Sequence, residues 1–469
     1  MKYLRVFLKL LAVGVFILVT PRLWAGGAIQ VDINGNPLLW DVADTLFYNP
    51  ENGALKSSGS FDQDQTLQLL QEAFDTWGDL PGVQLKVARG AFLPDQGLPD
   101  GVNAGNYQGF LGEGTEECYP DFFPVSGTNC VSPIIFDEDG EIIDDLFGTC
   151  SKFSILGFAG FDDVEDGSGD PARRIVRRGQ ALFSGACLNP AVTKAGCGSC
   201  NRVLSDNEIR TIVTHEVGHL MGMDHSQVNP AIFSQCNQSL NGCPAEVADG
   251  LPTMFPILVN GAEMLNLHRD DEAYFRELYG NPIQDTCAVS GSVFASDGTT
   301  EVRGVEVVAV NTDEALELTD RISFVSGAES PKLNSFSRAQ GNCAGACGAY
   351  RISGLTPGES YQLCVQRISP QFTGGSSIEP VDPPFQAFSN DCPVGKVVSC
   401  DCPSSPCPET TGVDLITDTD PDDVDQGEAE PGNVEFEDPS SGGCSLIKSR
   451  KVPTKLWISL KRRLLKNRP

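Results

Sequence analysis

Three of the four histidines in this 469-residue chain fall within eleven residues, and that run constrains the fold more than any other feature. It reads His215-Glu216-Val217-Gly218-His219-Leu220-Met221-Gly222-Met223-Asp224-His225. Its setting is helical. Ser205 with Glu208 three places on predicts a capping box, and Ile209, Ile212, Val213, Val217 and Leu220 supply one apolar side. Histidines four apart on a helix project from one face, about 6 Å apart along the axis. Two such imidazoles can grip one zinc ion from the same side. Glu216 lies one step round the helix, where it reaches a water on the metal rather than the metal itself. Gly222 can take a left-handed conformation, so the helix can end there and the chain turn back to bring His225 under the ion. Three neutral nitrogens leave a fourth position open, which is the catalytic rather than the structural arrangement. The plain alternative is a helical histidine pair satisfied by ordinary hydrogen bonds. Gly222 and His225 at these spacings disfavour it.

The expected chemistry is peptide-bond hydrolysis without a covalent acyl-enzyme, with Glu216 as general base and the metal as Lewis acid. The run resembles the metzincin zinc metallopeptidases. With Ser226 directly after the third histidine, it is most similar to their matrixin branch. That resemblance covers roughly residues 36–282. It implies an α+β catalytic domain in which a twisted mixed sheet carries long helices and an active-site helix. It also implies a methionine turn at Leu251-Pro-Thr-Met254-Phe-Pro256, with Met254 packed beneath the imidazoles without binding metal. Asp270-Asp271 to Leu278-Tyr279-Gly280 looks like the closing helix of such a domain, and Trp40, Tyr48 and the helix ending at Trp77 like its opening. If the likeness carries over, Ser154 to Phe158 form an edge strand whose free backbone groups pair with an extended substrate; a plain buried strand is the alternative. Two features depart from matrixins. The 28 residues between His225 and Met254 are long for that family and hold Cys236 and Cys243, and a second insertion holds Cys187, Cys197 and Cys200. Two other functions stay open: a non-enzymatic adhesion or binding protein on the same scaffold, and a zinc hydrolase acting on something other than peptides.

The rest of the chain reads as an exported, multi-part protein. Residues 1–25 look like a signal peptide: Lys2, Arg5 and Lys9, then an apolar run from Leu10 to Val19, then small residues from Ala25 to Ala28. Ten apolar residues are too few to span about 30 Å of hydrocarbon. Seventeen cysteines fit an oxidising compartment. Eight lie between Cys118 and Cys243, eight between Cys287 and Cys407, and Cys444 stands alone, so pairing within each block is expected. Cys197-Gly-Ser-Cys200 admits a redox or zinc pair, but ordinary disulfides suit an exported chain better. A formal net charge of −30 argues against nucleic acid as a partner and leaves protein or peptide substrates. Asp137-Glu138-Asp139-Gly140 and Asp162 to Asp170 are either calcium-holding or simply solvated loops.

Apolar spacing predicts a helix over 62–77, strands near Val83–Val87, Ile134–Phe136, Ile155–Phe158 and Ala181–Phe183, and a last helix over Asp270–Tyr279. The resemblance implies a metallopeptidase domain, placed at 26–283. Residues 284–370 carry short alternating runs and resemble a carboxypeptidase regulatory-like β-sandwich. Residues 371–443 are a Cys/Pro-rich and then acidic linker, with twelve acidic and no basic side chains over 409–438, and so are expected to be disordered. Residues 444–469 form a basic tail. It resembles a degenerate sorting signal with Cys444 as an anchor; otherwise it is an amphipathic segment touching an anionic membrane. Either way the expected location is secreted or at the cell surface.

Overall fold

The computed structural model describes residues 27–424, apart from residue 33 and segments 57–60, 94–100, 112–130, 167–173, 201–202, 227, 230–231, 233–244, 260–263, 281–284, 331–344 and 368–395. The expected signal peptide, Cys236, Cys243, the end of the acidic linker and the basic tail with Cys444 lie outside the described residues. Among those described, no helix is long and apolar enough to cross a membrane.

The first half of the chain is a mixed α/β body. Helix α1 (Gln63–Gly78) buries Leu70, Ala73, Phe74 and Trp77 as its apolar spacing predicts, with Leu69 buried where the spacing points to Leu67, which is half-buried. Asp62 caps it by accepting the Gln65 N–H at 3.1 Å, which satisfies one of the first-turn donors. Six strands form one sheet: β1 (Leu39–Trp40), β2 (Thr45–Pro50), β3 (Lys86–Arg89), β4 (Ser132–Asp137), β5 (Gly157–Asp166) and β6 (Arg174–Ser184). The order β1-β6-β4-β2-β3 is parallel throughout. Strand β5 runs antiparallel along the other side of β6, from Gly157 opposite Phe183 to Asp166 opposite Arg174. It starts two residues later than expected, and among the described residues β6 is its one strand partner.

Alternation along β4 and β6 sorts the core into two layers, because successive side chains face opposite ways. Ile134, Phe136, Ala181 and Phe183 join the cluster beneath α1 and helix α3 (Asp206–Leu220). Ile135 and Leu182 join Ile142, Ile143 and Ile155 on the opposite face.

Asp137-Glu138-Asp139-Gly140 leads into a helix that the acidic composition concealed, α2 (Glu141–Phe147). The Asp137 carboxylate accepts the Ile143 N–H at 2.9 Å. Buried Lys152 donates to the Asp139 carbonyl at 2.8 Å and to Glu141, and Lys194 pairs with Asp144 at 2.7 Å. Of the oxygens expected to hold calcium, the Asp137 and Asp139 carboxylates accept backbone N–H groups and the Asp139 carbonyl accepts the Lys152 ammonium. Of the second acidic stretch, 167–170 lies outside the described residues.

Burial pushes the Asp137 carboxyl up to about 7, against the lowering effect of the Ile143 and Ile142 N–H groups. A carboxyl raised in the folded state contributes stability that is complete below its unfolded pKa of about 4 and is lost as pH climbs through the folded value. Asp137→Asn keeps an acceptor and cannot ionise. It is expected to melt about 2–4 °C above the parent at pH 8 and to match it near pH 4. Scanning calorimetry that finds an equal gap at both pH values contradicts this.

The second half of the chain forms two facing sheets. One pairs β7 (Cys287–Phe294) with β10 (Ala349–Leu355); the other joins β8 (Val305–Asn311), β9 (Arg321–Val325) and β11 (Ser360–Arg367). The sandwich continues past the expected limit at residue 370. β12 (Lys396–Ser399) pairs with β11, while β13 (Glu409–Thr410) and β14 (Leu415–Ile416) run parallel to β7. Strands of two to four mostly exposed residues leave no alternation to read. Disulfide Cys287–Cys400 fastens the added segment to the start of β7, and Cys402–Cys407 closes its loop.

Helix α4 (Arg269–Tyr279) joins the two halves. Its Glu277 pairs with Arg351 of β10 at 2.9 Å, and Arg269 donates to the Gly354 carbonyl at 2.8 Å. Gly354 has to be glycine here, since its φ is +80° and a Cβ would sit 2.7 Å from the Ala273 methyl. The apolar core is continuous through this junction.

Candidate metal centre

Helix α3 begins as the sequence predicts. Ser205 caps Glu208 N–H, and the Glu208 side chain returns to the Ser205 N–H at 2.9 Å. The helix buries both of its histidines: His215 is 0% and His219 2% exposed. It is held against α1 by the Trp77 indole, which donates to the Thr214 carbonyl at 2.9 Å. Its last turn is held by the Trp40 indole, which donates to the Leu220 carbonyl at 2.8 Å, and by the Tyr279 hydroxyl, which donates to the Met221 carbonyl at 2.7 Å.

Gly222 then adopts φ +95°, and the chain reverses to bring His225 beside the other two rings. The ring centroids lie 4.6 Å apart for His215–His219, 4.5 Å for His219–His225 and 5.2 Å for His215–His225. One nitrogen from each ring falls within 4.8 Å of the others. No other group of three or more potential ligands occurs among the described residues.

The ring tautomers follow from the hydrogen bonds. His215 Nδ1 lies 2.7 Å from the Thr253 carbonyl and His219 Nδ1 lies 2.8 Å from the Met223 carbonyl. A carbonyl only accepts, so each Nδ1 carries the proton and donates. The Nε2 lone pairs are left for a metal. Burial, reinforced for His215 by its neighbour His219, holds His215 well below the usual imidazole value; burial likewise brings His219 to about 4. Both are therefore neutral, the form that coordinates.

Buried polar atoms without partners mark where an ion fits. His215 Nε2 has no hydrogen-bond partner. His219 Nε2 and His225 Nε2 face each other at 3.0 Å, close to the spacing of two nitrogens on one ion. In a tetrahedral zinc site with bonds of about 2.0–2.1 Å, nitrogens sit about 3.3 Å apart. Glu216 is 0% exposed and neither carboxylate oxygen has a partner. Burial raises its carboxyl well above the usual value. The residues present therefore suit a divalent ion with nitrogen ligands and a carboxylate beside it.

Met254 is fully buried beneath α3, against Gly218. A Cβ on that glycine would lie 2.4 Å from the Met254 Sδ and 2.9 Å from the Trp77 ring. The turn that carries Met254 is tied to the triad twice. The Thr253 carbonyl orients His215, and the Met254 carbonyl accepts the Ser226 N–H at 3.0 Å. Asp271 holds the turn from α4 by accepting the Thr253 N–H at 2.8 Å and the Met254 N–H at 3.1 Å.

Other residues sort differently. His268 lies outside the centre: it caps α4, accepts the Asp270 N–H on Nδ1 at 3.1 Å, and so donates from Nε2 to the Leu318 carbonyl. Cys197 and Cys200 bond to Cys150 and Cys187 respectively, so they are not a redox pair with one another. Sequence reasoning missed the segment after residue 26, which pins the ligand turn. Ile29 N–H donates to the Gly222 carbonyl at 2.9 Å, and Asp224 N–H to the Gly27 carbonyl at 3.1 Å. It also missed the approach of β5 to Glu216 at Gly157.

The chain matches no family model and none of the curated proteins.

Proposed function

We propose that the chain is an exported zinc-dependent endopeptidase, built on the metzincin plan and matrixin-like in its motifs. The observation that carries this is the convergence of three buried imidazoles, with a buried carboxylate at the adjacent residue Glu216 that has no partner of its own. The ligands would be His215, His219 and His225. Zinc bound there supplies Lewis acidity, which acidifies a water and polarises a scissile carbonyl.

The protein's own residues do the rest. The Glu216 carboxyl, raised by burial, is suited to taking a proton from water and handing it to the leaving nitrogen. Met254 and Asp271 fix the floor of the site, so the imidazoles stay in register. Strand β5 begins beside Glu216 and among the described residues has β6 as its one strand partner, so its start can accept an extended peptide through backbone hydrogen bonds. The four disulfides among the described residues suit a secreted or cell-surface location.

The test is incubation of the purified mature chain with an unfolded protein. Internal cleavage is expected, lost with a chelator and restored by zinc, with about one zinc per chain by elemental analysis. Chelator-insensitive cleavage, or protein that takes up no stoichiometric metal, refutes the reading.

A further inference from the structure

We propose that the β-sandwich is a working part of the metal centre, through a hydrogen-bonded relay from Ser323 on β9, through Asp270 on α4, to Ser226 beside His225. This rests on the metal-centre reading above and adds to it a role for the second half of the chain.

Asp270 and Asp271 open α4 side by side, both 1% exposed, and they hold different parts of the site. Asp271 takes the Thr253 and Met254 N–H groups, and so supports the carbonyl that orients His215. The Asp270 carboxyl lies within reach of the Ser226 side chain, one residue past His225, and that side chain favours its charged form. Its remaining donors come from the sandwich: the Ser323 N–H at 2.6 Å and the Ser323 hydroxyl at 3.2 Å to Oδ1. A buried carboxylate without donors is costly and takes up a proton or moves. Without the Ser323 hydroxyl, Asp270 keeps only the Ser323 N–H from the sandwich and would loosen its hold on Ser226, and with it the placement of the third ligand.

A second contact points the same way. The Leu318 carbonyl, in the connection from β8 to β9, accepts from the Asn229 side chain at 3.0 Å and from His268 Nε2 at 3.1 Å. Asn229 lies four residues past His225 with φ +62°, and its Nδ2 also donates to the Gly250 carbonyl. The same sandwich hairpin therefore grips the chain on both sides of the methionine turn, first at Asn229 and again at His268. Simple adhesion between the halves is served elsewhere, by Arg351–Glu277 and Arg269–Gly354.

The experiment uses the full mature chain loaded with zinc, and follows metal release into excess chelator. The variants are Ser323→Ala, Ser226→Ala, their combination, and Ser353→Ala. Ser353 is a buried β10 serine whose hydroxyl has no partner, so it controls for loss of a sandwich hydroxyl. Ser323→Ala is expected to release zinc about tenfold faster than the parent, the scale set by groups that orient metal ligands. Its cobalt-substituted form should show a shifted visible spectrum, while metal-free Ser323→Ala melts with metal-free Ser353→Ala. The double variant should release zinc no faster than the faster single one, because both changes break one relay. Parental release rates in Ser323→Ala, or strictly additive effects, overturn the relay and leave the metal centre standing. A parental chain that holds no zinc overturns both.

Discussion

Glu216→Ala is expected to keep its zinc and lose peptide hydrolysis by about 10²–10⁴-fold, the range for removing a positioned general base. The two halves of that statement have separate physical grounds. Metal retention follows because the triad is complete without residue 216: His215 and His219 are oriented by the Thr253 and Met223 carbonyls, and His225 by the turn after Gly222. Loss of turnover follows because the group of potential ligands is three histidines and includes no described carboxylate that could take its place. Removing Glu216 also breaks no hydrogen bond of its own, since neither oxygen has a partner. The metal-free variant should therefore melt no lower than the metal-free parent. Zinc content, turnover and melting temperature measured on one preparation decide the matter. Retained turnover excludes Glu216 as the base, and lost zinc makes it a ligand instead.

The parts that could be read from sequence are those governed by local spacing. The Ser205–Glu208 capping box, the apolar side of α3 and the His215/His219/His225 run all lie within about two dozen residues. Local chemistry there fixes the helix, its end at Gly222 and the return of the third histidine. Helix α1 was legible for the same reason. The grip of Gly27 and Ile29 on the ligand turn was not, because it joins residues almost two hundred positions apart through backbone groups that any side chain would permit. Ser323 meeting Asp270 is equally non-local, and a serine in a strand carries no mark of its partner. Helix α2 was hidden by acidic residues that read as a cation loop. Lys152 and Lys194, which pair with Glu141 and Asp144 of that helix, come from later in the chain. Pairing within cysteine blocks agrees with all four described bridges, but which cysteine meets which, as in Cys150–Cys197 and Cys187–Cys200, depends on the folded neighbourhood.

Gly157→Ala is expected to lower kcat by roughly a hundredfold, the scale attached to about 1 Å of misplacement at a reacting group. The added Cβ would lie 2.9 Å from Glu216 Cγ, 3.1 Å from its Oε1 and 3.0 Å from the Leu182 carbonyl oxygen. The carbonyl belongs to β6, which is held by β4 and β5 on its two sides, so it yields little. The carboxylate side chain has no hydrogen bond to hold it, so it is the group that moves. Overpacking of this kind costs about 1–3 kcal/mol of stability, which a domain with a continuous core tolerates, and the triad is untouched, so zinc content should match the parent. A KM split separates this cause from the rival one. If the methyl displaces Glu216, kcat falls with KM nearly constant. If it blocks a peptide from the β5 edge, KM rises instead. Combining Gly157→Ala with Glu216→Ala gives the sharper check. When the methyl acts only through the carboxylate, it removes nothing further once the carboxylate is gone. A double variant much slower than Glu216→Ala alone would show that β5 acts on the substrate directly.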